Sequence, residues 1–338
     1  MTDQPPLLSV VIPTYQRCAS VRRLLESLSL QRLPCDRFEV VVAIDGSTDG
    51  THELASSLEM PYSLRAVWQP NSGRAAACNA GVRESRGEIV VVLDDDMEPH
   101  PTFLDAHARA HEAHARRGVV GAVPIQVDAS SPPVVQFVGE KFNRHLASLA
   151  EPGRRIDIRD FYSGNFSIRC ELLLEVGSFD ESFRIYGNED VELATRLLAA
   201  GVELVYSPEA AAAQHYEKDF AALARDNLAK GRTAVLCARK HPDAVARLRL
   251  GTLHQGSRKW RLLRSSLLAA SGSSERIPEL LIRFVTWTEQ RQPAAVYRLY
   301  APVLDFCFWF GVRAALGDQG ADNAEELVGG TTSLGAVA

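Results

Sequence analysis

Glycine-rich phosphate loops are absent from this sequence. The first apolar run, residues 8–12, is followed by PTYQR, so no GxGxxG stands after it, and GxxxxGK[ST] occurs nowhere in the chain. Dinucleotide dehydrogenases and P-loop NTPases hold their phosphates in those loops. Neither class of enzyme is therefore favoured.

The sequence also lacks paired cysteines and an excess of positive charge. None of its six cysteines forms a CxxC pair, which argues against a zinc site or a disulfide framework and fits a reducing compartment. A net charge of -5 provides no electrostatic footprint for nucleic acid, and we expect no nucleic-acid partner. The acidic start and its strand-length apolar run predict no signal peptide. We expect a cytoplasmic protein, with peripheral contact at the inner face of the membrane as the alternative.

Short apolar runs alternate with helical patterns through the first part of the chain. Strands are predicted at residues 8–12, 38–44, 64–68, 89–93, 119–123, 161–169 and 203–206. This alternation predicts an α/β fold with a mostly parallel, doubly wound sheet flanked by helices.

Three adjacent carboxylates, Asp94, Asp95 and Asp96, follow the most apolar of these strands. Ligands of open α/β sheets bind outside the carboxyl ends of the strands. Neighbouring carboxylates repel unless a cation neutralises them, and their hard oxygens suit Mg²⁺ or Mn²⁺. Two further strand ends, at 13–17 and 45–47, are expected to converge on the same edge. The alternative for the acidic run is a solvated turn.

A second acidic pair, Glu189 and Asp190, opens an amphipathic helix that ends at Gly201. Carboxylates stabilise a helix N-terminus, but capping accounts for only one of the two. His215 follows a late strand and is either structural or a metal ligand.

The remaining patterns are less specific. His107, His111 and His114 lie on a predicted helix, 101–117, and their Ala, Arg and Glu neighbours favour a solvated face over a metal site. Residues 124–159 are expected to form an irregular acceptor-side loop. An aromatic-rich segment, 277–316, is predicted to be helical, and its run 301–316 is too short to predict a membrane span. It is expected to pack on the main domain, to form a dimer face or to lie in a membrane interface.

Six motifs in series resemble the inverting family 2 glycosyltransferases of the GT-A fold. They are SVVIPTYQR, IDGSTDGT, NSGRAAACNAG, VVLDDDMEP, FYSGNFSIRCELLLEVGSFDESF and YGNEDVELATRLLAAG, and they span roughly residues 7–215 in the order that the family has. The resemblance implies a GT-A nucleotide-sugar-binding and catalytic domain at 1–218. A helical accessory region at 219–328 and a disordered tail at 329–338 are expected to follow.

The resemblance also implies a role for individual residues. Asp190 matches the catalytic base, with Glu189 beside it, and Asp94 and Asp96 match the DxD pair, in which Asp96 holds the metal on the diphosphate. His215 matches a further metal or diphosphate ligand. The donor side would comprise Pro13, Thr14, Tyr15, Arg17, Asp45, Ser47, Gly73, Arg74, Asn79, Asp94 and Asp95, and the acceptor side Gly164 and Asn165.

The implied function is metal-dependent, inverting transfer of a sugar from a nucleoside diphosphate sugar to an acceptor hydroxyl, with Mn²⁺ or Mg²⁺ as cofactor. Ile44 departs from the family pattern, which often has a second acidic residue there, so the nucleotide preference is open although a UDP-sugar is favoured. The alternatives are a sugar-nucleotide nucleotidyltransferase and a non-catalytic nucleotide-sugar-binding module. The acceptor is not identified.

Overall fold

A computed structural model describes residues 5–317, and these residues divide into two compact units. Unit 1 holds residues 5–126, 139–184 and 189–216, and unit 2 holds residues 127–138, 185–188 and 217–317. The single boundary predicted at 218 therefore misses two short segments that join unit 2. The predicted tail, 329–338, lies outside the described residues.

The order of elements begins with strongly alternating strands and helices and ends with helices alone. The strands are β1 (Leu8–Thr14), β2 (Phe38–Asp45), β3 (Ser63–Gln69), β4 (Ile89–Leu93), β5 (Met97–Pro99), β6 (Arg117–Gly121), β7 (Asn165–Arg169), β8 (Glu203–Ser207) and β9 (Ala212–Gln214). The α-helices are α1 (Cys18–Leu28), α2 (Thr51–Ser57), α3 (Arg74–Glu84), α4 (Phe103–His111), α5 (Pro133–Leu149), α6 (Cys170–Glu175), α7 (Glu189–Ala199), α8 (Phe220–Lys240), α9 (Arg258–Ser271), α10 (Arg276–Arg291) and α11 (Pro293–Leu316), with short 3₁₀ turns at Pro242–Arg247 and Arg249–Thr252.

The main sheet of unit 1 has seven strands in the order β3-β2-β1-β4-β7-β6-β8. The pairs β1–β2, β2–β3, β1–β4 and β6–β8 are parallel, whereas β7 runs antiparallel to both β4 and β6. The expected mostly parallel sheet is thus confirmed, with one reversed strand in its interior. β5 and β9 form a separate antiparallel pair.

Apolar strands and small helical residues explain how unit 1 packs. Every residue of β1, β2 and β4 is buried, as continuous apolar runs in a sheet covered on both faces require. The alanines of α3 bring that helix close to the sheet, and a side chain at Gly81 would collide with Val11. Close backbone approach therefore depends on the small residues of NSGRAAACNAG.

Two expectations from the sequence are wrong. The segment predicted to be an irregular loop contains α5, a helix of 17 residues. Its apolar residues Val135, Val138, Phe142, Leu146 and Leu149 recur every three or four positions, which is the helical period that the expectation of a loop overlooked. His107 and His111 are 0% and 1% exposed, so the predicted solvated face holds only for His114, which is exposed.

Unit 2 consists mainly of helices, and α8 packs closely on α11. A side chain at Gly231 would collide with the carbonyl of Phe308, and one at Gly311 with that of Leu228. The predicted helical segment 277–316 is interrupted before Pro293, where α11 begins. α11 is long enough and apolar enough to cross a membrane by length and composition alone, because the helix begins eight residues before the run 301–316 that was judged too short. However, 56% of its most apolar window is buried in the fold, as in the core helix of a soluble protein.

Candidate active site

Four strands place their ends at one edge of the main sheet. β1, β2 and β4 are mutually parallel, so the residues after each strand emerge on the same side. β7 runs the opposite way and begins at that edge, where the carbonyl of Gly164 accepts a hydrogen bond of 2.9 Å from the backbone N–H of Asp94. The convergence of the three strand ends expected from the sequence is therefore observed.

Asp45, at the end of β2, organises the loop before α3. Its Oδ1 accepts hydrogen bonds of 2.8 Å from Gln69 Nε2 and from the Ser72 N–H, and its Oδ2 accepts one of 2.9 Å from the Gly73 N–H. The side chain is buried, and both of its oxygens are engaged by the protein. Its contacts here are to this loop, whereas the family resemblance implies a contact to the base or ribose.

Asp95 lies beside the end of β1. Its Oδ2 accepts a hydrogen bond of 2.7 Å from Thr14 Oγ1, and its Oδ1 lies 3.9 Å from Arg17 Nε. Burial raises the pKa of Asp95 to about 7, against the opposing effects of Thr14 and Arg17, and the neighbouring carboxylates add to the increase. A cation bound at this edge would lower the pKa of Asp95 and so favour its ionised form near neutral pH.

The loops after β1 and β2 are joined to each other. The backbone N–H of Gln16 donates to Ser47 Oγ at 2.8 Å, and the Cys18 N–H donates to Asp49 at 2.9 Å. Pro13 is buried within β1, whereas Tyr15 is 52% exposed. An exposed ring beside a rigid pair of loops can stack on a base.

Arg74, the first residue of α3, connects separate parts of the site. Its Nη2 and Nε lie 2.7 and 3.2 Å from Asp94 Oδ1, its Nη1 donates to Ser163 Oγ at 2.9 Å, and the same Nη1 lies 3.7 Å from Glu189 Oε1. Burial alone would lower the pKa of Arg74, but Asp94 and Glu189 keep it well above its ordinary value. The guanidinium therefore stays charged and holds two carboxylates from different elements.

The two other candidates around α3 have structural contacts. Gly73 adopts φ of +94°, and a side chain there would collide with the backbone of Arg184. Asn79 donates from Nδ2 to the carbonyl of Phe179 at 2.9 Å and accepts from the Phe179 N–H at 3.0 Å. Asn79 therefore anchors the loop after α6, and its predicted role on the sugar-donor side stays a prediction.

Asn165 is not on an acceptor-facing surface, which corrects that prediction. It is fully buried, and its Nδ2 donates to the carbonyls of Ala122 and Ala210 at 3.1 and 2.9 Å. Its Oδ1 lies 2.9 Å from Nε2 of the buried His107. Gly164 does reach the site, because any side chain there would collide with the Asp94 carboxylate.

The second acidic pair begins α7. Glu189 is 5% exposed and faces Arg74, whereas Asp190 is partly exposed and accepts a 2.8 Å hydrogen bond from the Val191 N–H. The two carboxylates therefore differ in environment. Asp190 is the more accessible of the two to solvent.

Asp96 and His215 are brought together by the pairing of β5 with β9. The His215 N–H donates to the Asp96 carbonyl at 2.8 Å, Asp96 Oδ2 accepts from Gln214 Nε2 at 3.1 Å, and His215 Nε2 lies 2.7 Å from Glu98 Oε2. Within residues 5–317, no three His, Cys, Asp or Glu side chains are arranged as a metal cage. One carboxylate and one imidazole fit the incomplete protein ligand set of a cation that also binds phosphate oxygens and water.

Sequence reasoning missed two residues of this site. Ser163 precedes the predicted acceptor-side positions and is 2% exposed, yet it bonds Arg74. Glu98 lies two residues after the DxD carboxylates and contacts His215. The only sequence signal for Glu98 is its place in the motif DDDMEP. No sequence signal links Ser163 to Arg74, because the two residues are 89 positions apart in the chain.

A family model described as glycosyl transferase family 2 matches residues 9–177, half of the chain. The chain belongs to glycosyl transferase family 2. A second family model, described as the N-terminal domain of galactosyltransferase, matches residues 143–219 of this family 2 chain. The match confirms the resemblance carried by the six motifs.

Curated relatives of this family 2 chain include validoxylamine A glucosyltransferase of Streptomyces hygroscopicus subsp. jinggangensis. It is 32% identical over 232 residues, which cover 62% of this chain and 55% of the relative. Chondroitin synthase of Escherichia coli is 28% identical over 240 residues, covering 62% of this chain and 34% of the relative. The chain spans about half the length of the first of these relatives and about a third of the second.

Solved structures share the fold of this family 2 chain. The mannosyltransferase PcManGT from Pyrobaculum calidifontis, in complex with GDP-Man and Mn²⁺, aligns with a TM-score of 0.56 and 19% identity over 92% of this chain and 88% of its own. S. aureus TarS 1-349 in complex with UDP-GlcNAc aligns with a TM-score of 0.51 and 15% identity over 90% of each chain. These similarities confirm the GT-A fold.

Proposed function

We propose that this chain is a metal-dependent, inverting glycosyltransferase that moves a sugar from a nucleoside diphosphate sugar to an acceptor hydroxyl. The observation that carries the proposal is the Arg74 cluster, which joins Asp94 of the DxD element to Glu189 of the second acidic pair. A binding module needs a donor pocket, but it does not need a second carboxylate pair tied to that pocket.

The donor would bind along the carboxyl edge of the main sheet. Tyr15 is exposed for stacking on a base, and Arg17 supplies positive charge beside Asp95. A UDP-sugar is favoured by the motif pattern. The two structures compared above hold a GDP-sugar and a UDP-sugar, and therefore do not discriminate between nucleotides.

Asp190 would act as the general base. It would take the proton of the acceptor hydroxyl as that oxygen forms its bond to the anomeric carbon, while the bond from that carbon to the diphosphate oxygen breaks on the opposite face. A single displacement of this kind inverts the anomeric centre. The role of Glu189 would be to keep Arg74 and the start of α7 in place.

Asp96 and His215 would hold the divalent cation. When bound, Mn²⁺ or Mg²⁺ supplies positive charge to the diphosphate leaving group. Asp94 would contribute to cation binding only indirectly, because its Oδ1 already accepts a hydrogen bond from Arg74.

The test pairs two substitutions with two measurements. Asp96→Ala should weaken Mn²⁺-dependent binding of UDP as well as turnover, because the diphosphate loses its counter-ion. Asp190→Asn should leave UDP binding nearly unchanged and slow transfer by about 10²- to 10⁴-fold. Calorimetry with UDP and Mn²⁺ gives the affinities, and release of nucleoside diphosphate from a donor panel gives the rates.

Glu189→Gln serves as the neighbouring control and should slow transfer less than Asp190→Asn does. Near-normal transfer by Asp190→Asn would contradict the base assignment. Absence of nucleoside diphosphate release from every donor, with or without added acceptor, would contradict the proposed function itself.

A further inference from the structure

One face of α10 in unit 2 carries large exposed apolar side chains. Leu280, Phe284 and Trp287 are 64%, 51% and 48% exposed, whereas Ile282 and Val285 on the other side of the helix are buried. Residues three and four positions apart share one face of a helix. The three exposed side chains therefore form a continuous stripe and not scattered single exposures, which are common on any protein surface.

Three arginines are interleaved with this stripe. Arg276, Arg283 and Arg291 are all exposed and lie three or four positions from a stripe residue. The Arg291 guanidinium lies 5.0 Å from the Trp287 ring centre, and the Phe284 and Trp287 rings are stacked with their centres 6.4 Å apart. We call these six residues, three apolar and three cationic, the α10 face.

The acidic residues of α10 are already paired, although Glu279, three residues from Arg276 and four from Arg283, borders this face. Glu279 Oε1 lies 3.5 Å from Arg225 Nε on α8, and Glu289 Oε1 accepts a 2.6 Å hydrogen bond from the Tyr300 hydroxyl on α11. The face therefore combines three arginines with one bordering carboxylate, Glu279, which Arg225 already neutralises. It is thus locally cationic in a chain with a net charge of -5.

We propose that the α10 face docks on the surface of an anionic lipid bilayer. Aromatic and aliphatic side chains insert at the boundary between headgroups and acyl chains, and guanidinium groups pair with lipid phosphates. The neighbouring helix α9 has similar chemistry: Arg258 and Lys259 precede the exposed Leu262 and Leu263, and the helix contains no acidic residue.

A second copy of the chain fits this surface less well. A two-fold interface places a patch against itself, so the arginines of one α10 face would meet those of the other. Because the one bordering carboxylate, Glu279, already pairs with Arg225, that contact would bury like charges. A bilayer carrying phosphate groups supplies the missing negative charge.

The test is vesicle binding by the full chain, without donor or acceptor, so that it is independent of transferase activity. Vesicles of equal parts phosphatidylcholine and phosphatidylglycerol should bind the protein at low salt, and phosphatidylcholine vesicles should bind it much more weakly. Arg283→Glu should lower the partition coefficient by at least about fivefold, since each cation near an anionic surface contributes about that factor. The double change Phe284→Ser with Trp287→Ser should also lower it.

Matched controls are available on exposed sites elsewhere. Arg239→Glu, at the end of α8, makes the same change in net charge, and Leu30→Ser removes an apolar side chain that is 68% exposed. Both should bind vesicles like the parent. Failure of the parent to bind anionic vesicles, equal loss in the controls, or light scattering that shows a dimer dissociated by Arg283→Glu would overturn the proposal.

Discussion

Arg74 Nη2 lies 2.7 Å from Asp94 Oδ1, while Nη1 of the same guanidinium lies 3.7 Å from Glu189 Oε1. One side chain at the start of α3 thus holds a carboxylate that follows β4 and another that opens α7. Charge-assisted contacts of this kind are stronger and more directional than neutral hydrogen bonds. The relative position of the two acidic elements therefore depends on Arg74.

Replacing Arg74 by Met should lower both stability and turnover. The change leaves Asp94 and Glu189 without their shared cation, and hydrogen bonds to charged groups contribute about 1.5–3 kcal/mol to stability. Arg74→Lys should recover part of the loss, since an ammonium supplies the charge but not the guanidinium's fork of donors. Urea unfolding and initial rates measure the two effects.

Arg83→Met is the control for that experiment. Arg83 lies on the same helix, its side chain is 60% exposed, and its ion pair with Glu181 is 3.7 Å long. Exposed pairs contribute about 0–1 kcal/mol. Equal losses from both substitutions would mean that α3 tolerates no change, and the specific role of Arg74 would be rejected.

Asp95 should make the ligand-free protein less stable as pH rises from about 4 to about 7. Its pKa in the folded protein is about 7 whereas the ordinary value is 3.8, so the folded state binds more protons across that interval and stability falls with increasing pH. Asp95→Asn should remove this slope. The gain in melting temperature over the parent should therefore be larger at pH 8 than at pH 5.

A second substitution checks the origin of that shift. Thr14 Oγ1 donates to Asp95 and thereby opposes the rise of its pKa, so Thr14→Val should move the pH-dependent loss of stability to higher pH. An Asp95→Asn protein whose melting temperature follows the parent at every pH would contradict the assignment.

The buried strands could be predicted from the sequence because a strand covered on both faces is a continuous run of apolar residues. The strand expected at 89–93 is observed as Ile89–Leu93, and the acidic residues after it lie at the expected edge. The contacts of Asp45 could not be predicted, since its partners lie 24 to 28 residues further along the chain. Which carboxylate binds a ligand and which holds a loop is decided by tertiary contacts.

The burial of the histidines of α4 also depends on tertiary contacts that the sequence does not reveal. The polar neighbours of His107 and His111 in the sequence suggested a solvated face, but the helix packs these rings on β7, where Ser167 Oγ lies 2.7 Å from His107 Nδ1 and 2.8 Å from His111 Nε2. A polar residue on the facing strand is what allows a histidine to be buried. Helix periodicity alone contains no information about that strand.

His107→Phe should destabilise the protein by about 1–3 kcal/mol, because Asn165 Oδ1 would lose its buried donor. It should also reduce the loss of stability in acid. Burial lowers the pKa of His107 to about 3 from 6.5, so its contribution is fully present above pH 6.5 and is lost as pH falls toward 3. His114→Gln, at an exposed position, should change neither quantity, and a parent-like acid profile for His107→Phe would contradict this account.

Glu98 should tune metal binding through His215. Its Oε2 lies 2.7 Å from His215 Nε2, so Nδ1 is left as the ring nitrogen for a cation or a diphosphate. A carboxylate that orients a ligating histidine typically changes metal affinity by about 10- to 100-fold. Glu98→Gln should therefore weaken Mn²⁺ binding in the presence of UDP, and His215→Ala should weaken it at least as much. Calorimetry or the electron paramagnetic resonance signal of free Mn²⁺ measures this binding.

The control is Glu53→Gln, which changes an exposed carboxylate on α2 and should leave Mn²⁺ binding unchanged. If Asp96→Ala abolishes Mn²⁺ binding while Glu98→Gln and His215→Ala leave it intact, the histidine is not a ligand and its contact with Glu98 only joins β5 to β9.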